Sequence, residues 1–268
     1  MFAFSSNGNV AVSVVGFNVL VSGNGTAKLA LNGRGGDDTI TAGHGFTFPL
    51  EIDGGEGNDL IVGGDGPDVL IGGPGNDTID GGAGNDIAFL GDGDDTFIWN
   101  PGGGSDVVEG EGGTDTLVFN GSNAGEFIEL DPNGDRLLLS RNIGSVVMDV
   151  AGVEHVVLEA RAGADEVLVT DLTGTSVASV DVDLAGIPGT TTGDGAADTV
   201  IVLGTPAADR IAITADGGAA VVSGLPATVR VENPEPTDAL IVNGLGGVDT
   251  FTADPGLNGL ILLTISQD

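Results

Sequence analysis

The chain has 268 residues with no cysteine and no tyrosine, and its 40 acidic residues against 7 Lys and Arg give a net charge of -33. Disulfides and thiolate chemistry are therefore excluded, and a chain without a basic patch to neutralise phosphates is not expected to bind nucleic acid. Because 40% of the residues are hydrophobic and glycine occurs 49 times, we expect a folded all-β protein and not a disordered acidic tail.

Residues 1–50 are predicted to form N-terminal β coils that cap the fold. The first six residues lack the basic segment and the continuous apolar core of a secretory signal peptide. Apolar residues alternate at Val10, Val12 and Val14, a pattern that suits a strand in a one-sided sheet. The chain has no apolar stretch of about eighteen residues, the length that a membrane helix needs, so we expect no membrane insertion.

Residues 51–120 contain the most regular part of the sequence. Four blocks of nine residues follow one another from Gly54, and they read GGEGNDLIV, GGDGPDVLI, GGPGNDTID and GGAGNDIAF. A degenerate fifth block, LGDGDDTFI, begins at Leu90. The sixth position of each block is an aspartate: Asp59, Asp68, Asp77, Asp86 and Asp95. Turns favour Asp and Gly but do not require Asp at one fixed position, so the blocks indicate a repeating structural unit.

The spacing predicts a parallel β-roll. Six residues, GGxGxD, form a turn in which glycine permits positive φ, and the next three form a short strand whose middle side chain points inward. Two such half-coils complete a coil of about eighteen residues, so alternate turns stack at the parallel-strand spacing of ~4.8 Å. Carbonyl and carboxylate oxygens on stacked turns suit Ca²⁺, which takes roughly 6–8 oxygen ligands at 2.3–2.6 Å.

The blocks resemble the nonapeptide repeats of RTX, or hemolysin-type, domains in type I-secreted bacterial proteins. This resemblance implies that each Ca²⁺ is bound by the second and fourth carbonyls and the Asp of a lower turn. The first and third carbonyls and the Asp of the upper turn complete the site. The implied ligand sets are Gly55, Gly57 and Asp59 with Gly72, Pro74 and Asp77; Gly73, Gly75 and Asp77 with Leu90, Asp92 and Asp95; and Gly64, Gly66 and Asp68 with Gly81, Ala83 and Asp86. Leu90 stands where the pattern has glycine.

Flanking segments are predicted to extend this arrangement. Asp38 precedes Asp59 by one coil plus a three-residue insertion, so it is a candidate ligand in the site beneath. Asp106 and Asp115, which are nine residues apart, are candidates on the other side of the blocks. We expect about three to six Ca²⁺ ions in all, as the only cofactor.

Residues 121–268 carry a longer self-similarity. Acidic residues open two short apolar segments at Asp198 and Asp209, and the pattern recurs forty residues later at Asp238 and Asp249. We assign further copies to residues 154–169 and 28–41. These short strands and Gly-rich turns predict wider β-solenoid coils, so that the chain forms one continuous right-handed parallel β-solenoid. The alternative is a β-roll followed by a separate antiparallel β-sandwich.

The sequence lacks the signatures of common catalysts. HExxH and GxSxG do not occur, and the few basic residues are too scattered for a lyase or epimerase cleft that holds acidic sugars. We therefore predict a non-enzymatic calcium-binding structural module, secreted by the type I route or held at the cell surface, whose folding is driven by Ca²⁺ and which acts in adhesion or assembly. Surface proteins, polysaccharide or further copies of the chain are its candidate partners. The alternative is part of a secreted polysaccharide-modifying enzyme, a lyase or an epimerase.

Overall fold

A computed structural model of the protein describes residues 9–14, 17–22 and 29–267. Only the backbone is described for residues 9–14 and 17–22, so the direction of the alternating valine side chains stays a prediction. Predictions that concern residues 1–8, 15, 16, 23–28 and 268 lie outside the described residues. They include the start of the chain and the first residue of the repeat copy at 28–41.

Almost all regular structure in these residues is β-strand, which confirms the predicted all-β class. The strands are β1 (Asn9–Val14), β2 (Phe17–Ser22), β3 (Leu29–Gly35), β4 (Thr39–Thr41), β5 (Leu50–Glu56), β6 (Leu60–Val62), β7 (Val69–Pro74), β8 (Thr78–Asp80), β9 (Ile87–Asp92), β10 (Thr96–Trp99), β11 (Val107–Gly112), β12 (Thr116–Asn120), β13 (Phe127–Asn133), β14 (Arg136–Arg141), β15 (Val146–Ala151), β16 (His155–Glu159), β17 (Glu166–Val169), β18 (Ser179–Asp183), β19 (Thr199–Leu203), β20 (Arg210–Asp216), β21 (Ala219–Ser223), β22 (Thr228–Glu232), β23 (Ala239–Asn243), β24 (Thr250–Ala253) and β25 (Leu262–Ser266). The helical elements of the described residues are two 3-10 turns, Ile143–Ser145 and Pro255–Leu257.

The chain divides into two compact units. The first unit comprises residues 1–118 and 148–153, and the second comprises residues 119–147 and 154–268. The three-part division drawn from the sequence, 1–50, 51–120 and 121–268, stays a prediction.

In the first unit, consecutive strands from β2 to β12 alternate between two sheets, and β1 belongs to the same sheet as β2. One sheet has the order β2-β1-β4-β6-β8-β10-β12, and the other has the order β3-β5-β7-β9-β11-β15. Within the repeats the pairing is parallel and in one register, so that Ile61 lies beside Ile79 and Ile79 beside Phe97. The register repeats every eighteen residues here, as the nine-residue blocks predict. Strand β1 is antiparallel to both of its neighbours, β2 and β4.

The core of this unit contains one apolar side chain from the middle of each short strand. The middle residue of β6 and of β8 is buried, whereas the residues on either side of it are exposed or half-buried. Inward side chains with 0% exposure are Ile40, Ile61, Ile79, Phe97 and Leu117 in one sheet and Leu50, Ile52, Leu70, Ala88, Leu90 and Val108 in the other. Each eighteen-residue coil therefore buries few apolar groups, and the turns carry much of what holds successive coils together.

The second unit consists of wider coils, as the longer repeat predicts. Strands β13, β17, β19, β23 and β25 pair in parallel in that order. The other sheet has the order β16-β18-β22-β21-β20-β24, in which β21 is antiparallel to both neighbours. Parallel pairing between coils supports the solenoid, and the alternative of a separate antiparallel β-sandwich is wrong for this unit.

The repeat copy assigned to residues 154–169 is out of phase with the others. Strand β17 pairs with β19, so Asp165 is equivalent to Asp198 and not to Asp209. The eleven-residue spacing misleads because a strand of about five residues and a turn of six recur in every half-coil. The spacing alone consequently cannot tell one sheet from the other.

Candidate metal centre

Stacked turns of the first unit place the aspartates of alternate blocks above one another. The backbone N–H of Asp59 donates to Oδ1 of Asp77 at 2.7 Å, and that of Asp77 donates to Oδ1 of Asp95 at 2.7 Å. The N–H of Asp38 likewise donates to Oδ1 of Asp59 at 2.7 Å, and that of Asp95 donates to Oδ1 of Asp115 at 3.0 Å. Asp38 and Asp115, the predicted outer members, thus continue one ladder of carboxylates.

A second ladder follows the opposite edge. The N–H of Leu50 donates to Oδ1 of Asp68 at 2.8 Å, and the N–H of Asp68 donates to Oδ1 of Asp86 at 2.8 Å. The N–H of Asp86 donates to Oδ1 of Asp106 at 2.9 Å. Asp106 therefore extends this edge in the way that Asp115 extends the other.

The second carboxylate oxygen is the important one for metal binding. Oδ2 is buried and has no hydrogen-bond partner in Asp38, Asp59, Asp77, Asp86 and Asp95. The last four of these residues are only 1–3% exposed. A buried carboxylate oxygen without a partner is costly, so these oxygens are a feature that a bound cation would explain. Asp68 differs, because its Oδ2 accepts the N–H of Gly64 at 2.7 Å.

A carbonyl oxygen of the next coil lies close to the second carboxylate oxygen in all three predicted ligand sets. A β-carbon added to Gly72 would lie less than 3.0 Å from both Oδ2 of Asp77 and the carbonyl oxygen of Leu90. A β-carbon added to Gly54 would likewise lie less than 3.0 Å from Oδ2 of Asp59 and from the carbonyl oxygen of Gly72. One added to Gly63 would lie less than 3.0 Å from Oδ2 of Asp68 and from the carbonyl oxygen of Gly81. The structure thus brings the lower Asp of each set together with the first carbonyl of the upper turn.

The second and fourth residues of the turns explain the requirement for glycine. Positive φ occurs at both positions in four turns: Gly55 and Gly57, Gly73 and Gly75, Gly82 and Gly84, and Gly91 and Gly93. At Gly75, a β-carbon would also overlap the carbonyl oxygen of Gly57 in the coil below. Gly64 and Gly66 do not have positive φ, so their turn differs from the other turns of the repeats.

Three predicted carbonyl ligands already accept hydrogen bonds between coils. The N–H of Gly57 donates to Pro74 at 2.9 Å, that of Gly75 donates to Asp92 at 2.8 Å, and that of Ala83 donates to Gly64 at 2.8 Å. A carbonyl oxygen has two lone pairs. One lone pair on each of these oxygens therefore remains for a cation while the other holds the coils together.

The electrostatics of the turns also favour a cation. Burial, with a smaller contribution from neighbouring aspartates, raises the pKa of Asp77 to about 6, of Asp106 to about 7 and of Asp86 to about 8. The pKa values of Asp59, Asp68 and Asp95 are raised for the same reason, burial first. A divalent cation nearby favours the ionised form and reverses such shifts.

The donor set present fits Ca²⁺. Among the described residues, no three His, Cys, Asp or Glu side chains form a metal site by themselves. Backbone carbonyls must therefore complete the coordination, and a mixture of carbonyl and carboxylate oxygens is the ligand set that Ca²⁺ prefers.

The second unit contains ladders that the sequence analysis did not assign to metal. In each ladder the backbone N–H of one acidic residue donates to Oδ1 of the aspartate in the next coil. The pairs are Glu126 and Asp165 at 2.7 Å, Asp165 and Asp198 at 2.8 Å, Asp198 and Asp238 at 3.1 Å, and Asp209 and Asp249 at 2.9 Å. Apart from Asp198, which ends the longer loop 184–198, each of these acids ends a six-residue turn between two strands, for example GLGGVD at 244–249. This shared turn length is the signal by which they could have been found.

Comparison with known protein families identifies the repeats. The model of the RTX calcium-binding nonapeptide repeat matches four times, at residues 30–45, 53–88, 62–97 and 102–123. The predicted resemblance is therefore confirmed for residues 30–123, which form a calcium-binding β-roll module. No curated protein matches the chain. In the part of the chain that the structure describes, no helix is long and apolar enough to cross a membrane.

Proposed function

We propose that the chain is a secreted structural module whose β-roll folds when Ca²⁺ binds between stacked turns, and that it acts in adhesion or assembly at a cell surface. About three to six ions occupy the turns between Asp38 and Asp115, with ligands from the sets predicted from the sequence. The module has no catalytic role of its own.

The buried, unpartnered Oδ2 atoms of the aspartate ladder carry this proposal. Asp59, Asp77 and Asp95 follow one another in one ladder and Asp86 lies in the other. All four are at most 3% exposed, and no buried basic side chain of the described residues pairs with their Oδ2 atoms. Without a cation, ionised Asp59, Asp77 and Asp95 would repel one another along one edge. A Ca²⁺ ion between successive turns would remove this repulsion and supply the missing partner for each oxygen.

The small core supports a folding role for the ion. Each coil of the roll buries only a few apolar side chains, and this burial must oppose both the conformational entropy of the ordered backbone and the repulsion between the buried carboxylates. Ions that bind only the folded form add stability by mass action. Sites of the extracellular type have Kd of roughly 10⁻⁴–10⁻³ M, so millimolar calcium outside the cell would fold the roll and cytosolic calcium would not.

Circular dichroism with ion counting tests the folding role. We expect the far-UV β signal of the full chain to fall in chelator, to return with millimolar CaCl₂, and to keep the part contributed by the wider coils throughout. Native mass spectrometry on the same samples counts the ions and verifies that chelator has removed them. A spectrum unchanged in verified metal-free protein would mean that calcium only decorates a solenoid that is already stable.

Secretion and assembly need separate tests. Fractionation of the source cells, with an antibody against the chain, should find it in the medium or at the surface, and an internal pool alone contradicts secretion. Sedimentation velocity with and without CaCl₂ tests self-assembly. A monomer at every concentration, together with no retention on cell-surface polysaccharide or surface protein, would contradict the adhesion and assembly role.

A further inference from the structure

Two turns of the second unit, 160–165 and 244–249, have positive φ at their second and fourth residues, as four turns of the repeats do, although they lack GGxGxD. In the turn formed by residues 160–165, ARAGAD, φ is +69° at Arg161 and +131° at Gly163. The second and fourth residues of the turn before Asp59 have φ of +104° and +134°. A residue with a side chain in this region is strained by roughly 1–3 kcal/mol, and such strain persists only where the surrounding structure imposes it. Turn 160–165 lies outside residues 30–123, where the family model matches.

The acid that ends this turn has the same unsatisfied oxygen as the repeats. Asp165 is 3% exposed, and its Oδ1 accepts the N–H of Glu126 at 2.7 Å. Its Oδ2 is buried and has no hydrogen-bond partner. Asp165 thus repeats both features of Asp59 and Asp77, a bonded Oδ1 and an orphaned Oδ2.

The next coil brings further oxygens onto this turn. The N–H of Asp165 donates to Oδ1 of Asp198, a residue only 2% exposed, at 2.8 Å. Asp194 reaches the same turn, because its Oδ2 accepts the N–H of Gly163 at 2.6 Å. Two carboxylates of the next coil therefore contact the backbone of turn 160–165, Asp198 at Asp165 and Asp194 at Gly163.

Glu126, the acid one coil before Asp165, already has a cationic partner. Arg141 donates through Nη2 to Oε1 of Glu126, and the two side chains are 4% and 0% exposed. This guanidinium compensates the acid at the end of turn 121–126 with a fixed positive charge. The Arg141 guanidinium also lowers the pKa of Asp165, but burial and the carboxylates of Glu126 and Asp194 outweigh it and leave that pKa raised to about 6. Oδ2 of Asp165 accepts no hydrogen bond from Arg141 or from any other described residue.

We propose that turns 160–165 and 193–198 bind one Ca²⁺ ion through the carboxylates of Asp165 and Asp198 and backbone carbonyls of both turns, with Asp194 adding negative charge. The ion takes the place in this rung that Arg141 takes in the rung below. Calcium binding thereby extends into the wider coils at turns that lack GGxGxD. This site does not depend on the ligand sets proposed for the roll.

Ion counting on the full chain with Ca²⁺ alone tests the site. Asp165→Asn keeps an oxygen that accepts the N–H of Glu126 and removes the charge, so it should bind one ion fewer than the wild type. Asp171→Asn is the control, since Asp171 belongs to none of the carboxylate ladders and its Oδ1 accepts the N–H of Thr173 at 3.0 Å. The control should keep every ion.

Thermal melting separates loss of the ion from loss of the fold. In chelator, Asp165→Asn should melt at or above the wild-type temperature because a buried anion becomes neutral, and CaCl₂ should raise its midpoint less. Should Asp165→Asn fail to fold, Asp194→Asn decides, and a severalfold weaker affinity at one site is expected.

An unchanged ion count in folded Asp165→Asn, or an unchanged affinity at every site in Asp194→Asn, overturns the proposal. A wild type that binds no calcium would instead overturn the proposed function of the roll as well. Asp77→Asn identifies the ions of the roll and so keeps the two results distinguishable.

Discussion

Replacing Asp77 by Asn should cost the calcium-bound roll more stability than replacing Asp68 by Asn. Asp77 belongs to two of the predicted ligand sets, whereas Asp68 belongs to one. The second oxygens also differ, because Oδ2 of Asp77 has no partner and Oδ2 of Asp68 accepts the N–H of Gly64 at 2.7 Å. Asp77→Asn keeps the oxygen that accepts the N–H of Asp59. Asp68→Asn keeps an oxygen for only one of the N–H groups of Leu50 and Gly64. The loss of stability in chelator is therefore subtracted from the loss in calcium before the two variants are compared.

The expected magnitudes follow from mass action. At free Ca²⁺ about a hundredfold above Kd, one ion that binds only the folded state contributes about 2.7 kcal/mol. Asp77→Asn weakens two sites and should cost up to about 5 kcal/mol, while Asp68→Asn should cost no more than about 2.7 kcal/mol. In metal-free protein at pH 8 the sign reverses for Asp77. Burial raises its pKa to about 6, so the ionised carboxylate destabilises the fold above that pH, and the amide removes this penalty.

Urea unfolding followed by circular dichroism measures the change in unfolding free energy of each variant, once in saturating CaCl₂ and once in chelator. Native mass spectrometry counts the bound ions. Equal losses of stability and of ions in the two variants would refute the stacking geometry in which Asp77 serves two sites. A loss for Asp77→Asn that is the same with and without calcium would show that the carboxylate has a structural role alone.

Three further predictions concern protons, glycine and the choice of ion. In metal-free buffer, the thermal midpoint of the roll should rise as the pH falls from 8 to 5. Burial raises the pKa of Asp86 in the folded state to about 8 and that of Asp106 to about 7. The stability gained by protonating these carboxylates is therefore complete below their ordinary pKa of 3.8 and is lost as the pH rises through 7 and 8. A midpoint that falls over this range contradicts the assignment. Gly75→Ala should prevent calcium-induced folding, because its β-carbon would overlap the backbone of Gly57; Gly45→Ala, with positive φ but open space around it, should cost only about 1–2 kcal/mol in urea unfolding, and similar losses would count against the close stacking. Mg²⁺ at the concentration that saturates with Ca²⁺ should leave the circular dichroism spectrum in its metal-free form, since Mg²⁺ requires near-octahedral coordination and gives up water reluctantly; full recovery with Mg²⁺ would refute the carbonyl cage.

The sequence predicts the roll well because its repeat is both short and strict. One apolar residue per strand and one Asp per turn leave a single register, and Ile61, Ile79 and Phe97 occupy it as expected. The outer aspartates are also placed by spacing alone, since Asp38 and Asp115 align with the ladder despite coils of 21 and 20 residues.

Other features could not be read from the sequence, for physical reasons. The turn before Asp68 has the same glycine pattern as its neighbours, yet Gly64 lacks positive φ and donates its N–H to that Asp. Composition allows this conformation without requiring it. In the second unit the strict motif is lost, because Arg161 and Leu245 adopt the positive φ that glycine has in the repeats. The six-residue turn is the one sequence feature that Asp165 shares with Asp59, and the equivalence of the two positions becomes clear from the N–H to Oδ1 bond that each carboxylate accepts.

The hairpin of β20 and β21 adds residues to its coil without changing how that coil stacks on the next one. The coil from Asp165 to Asp198 takes 33 residues, and the coil from Asp198 to Asp238 takes 40 because it includes this hairpin, yet both end on the same N–H to Oδ1 bond. The hairpin closes from Asp216 to Ala219 through Gly217 and Gly218, both with positive φ. Exposed loop tips of this kind tolerate insertions. A foreign peptide spliced between the two glycines would therefore be displayed on one coil while the rungs above and below keep their spacing.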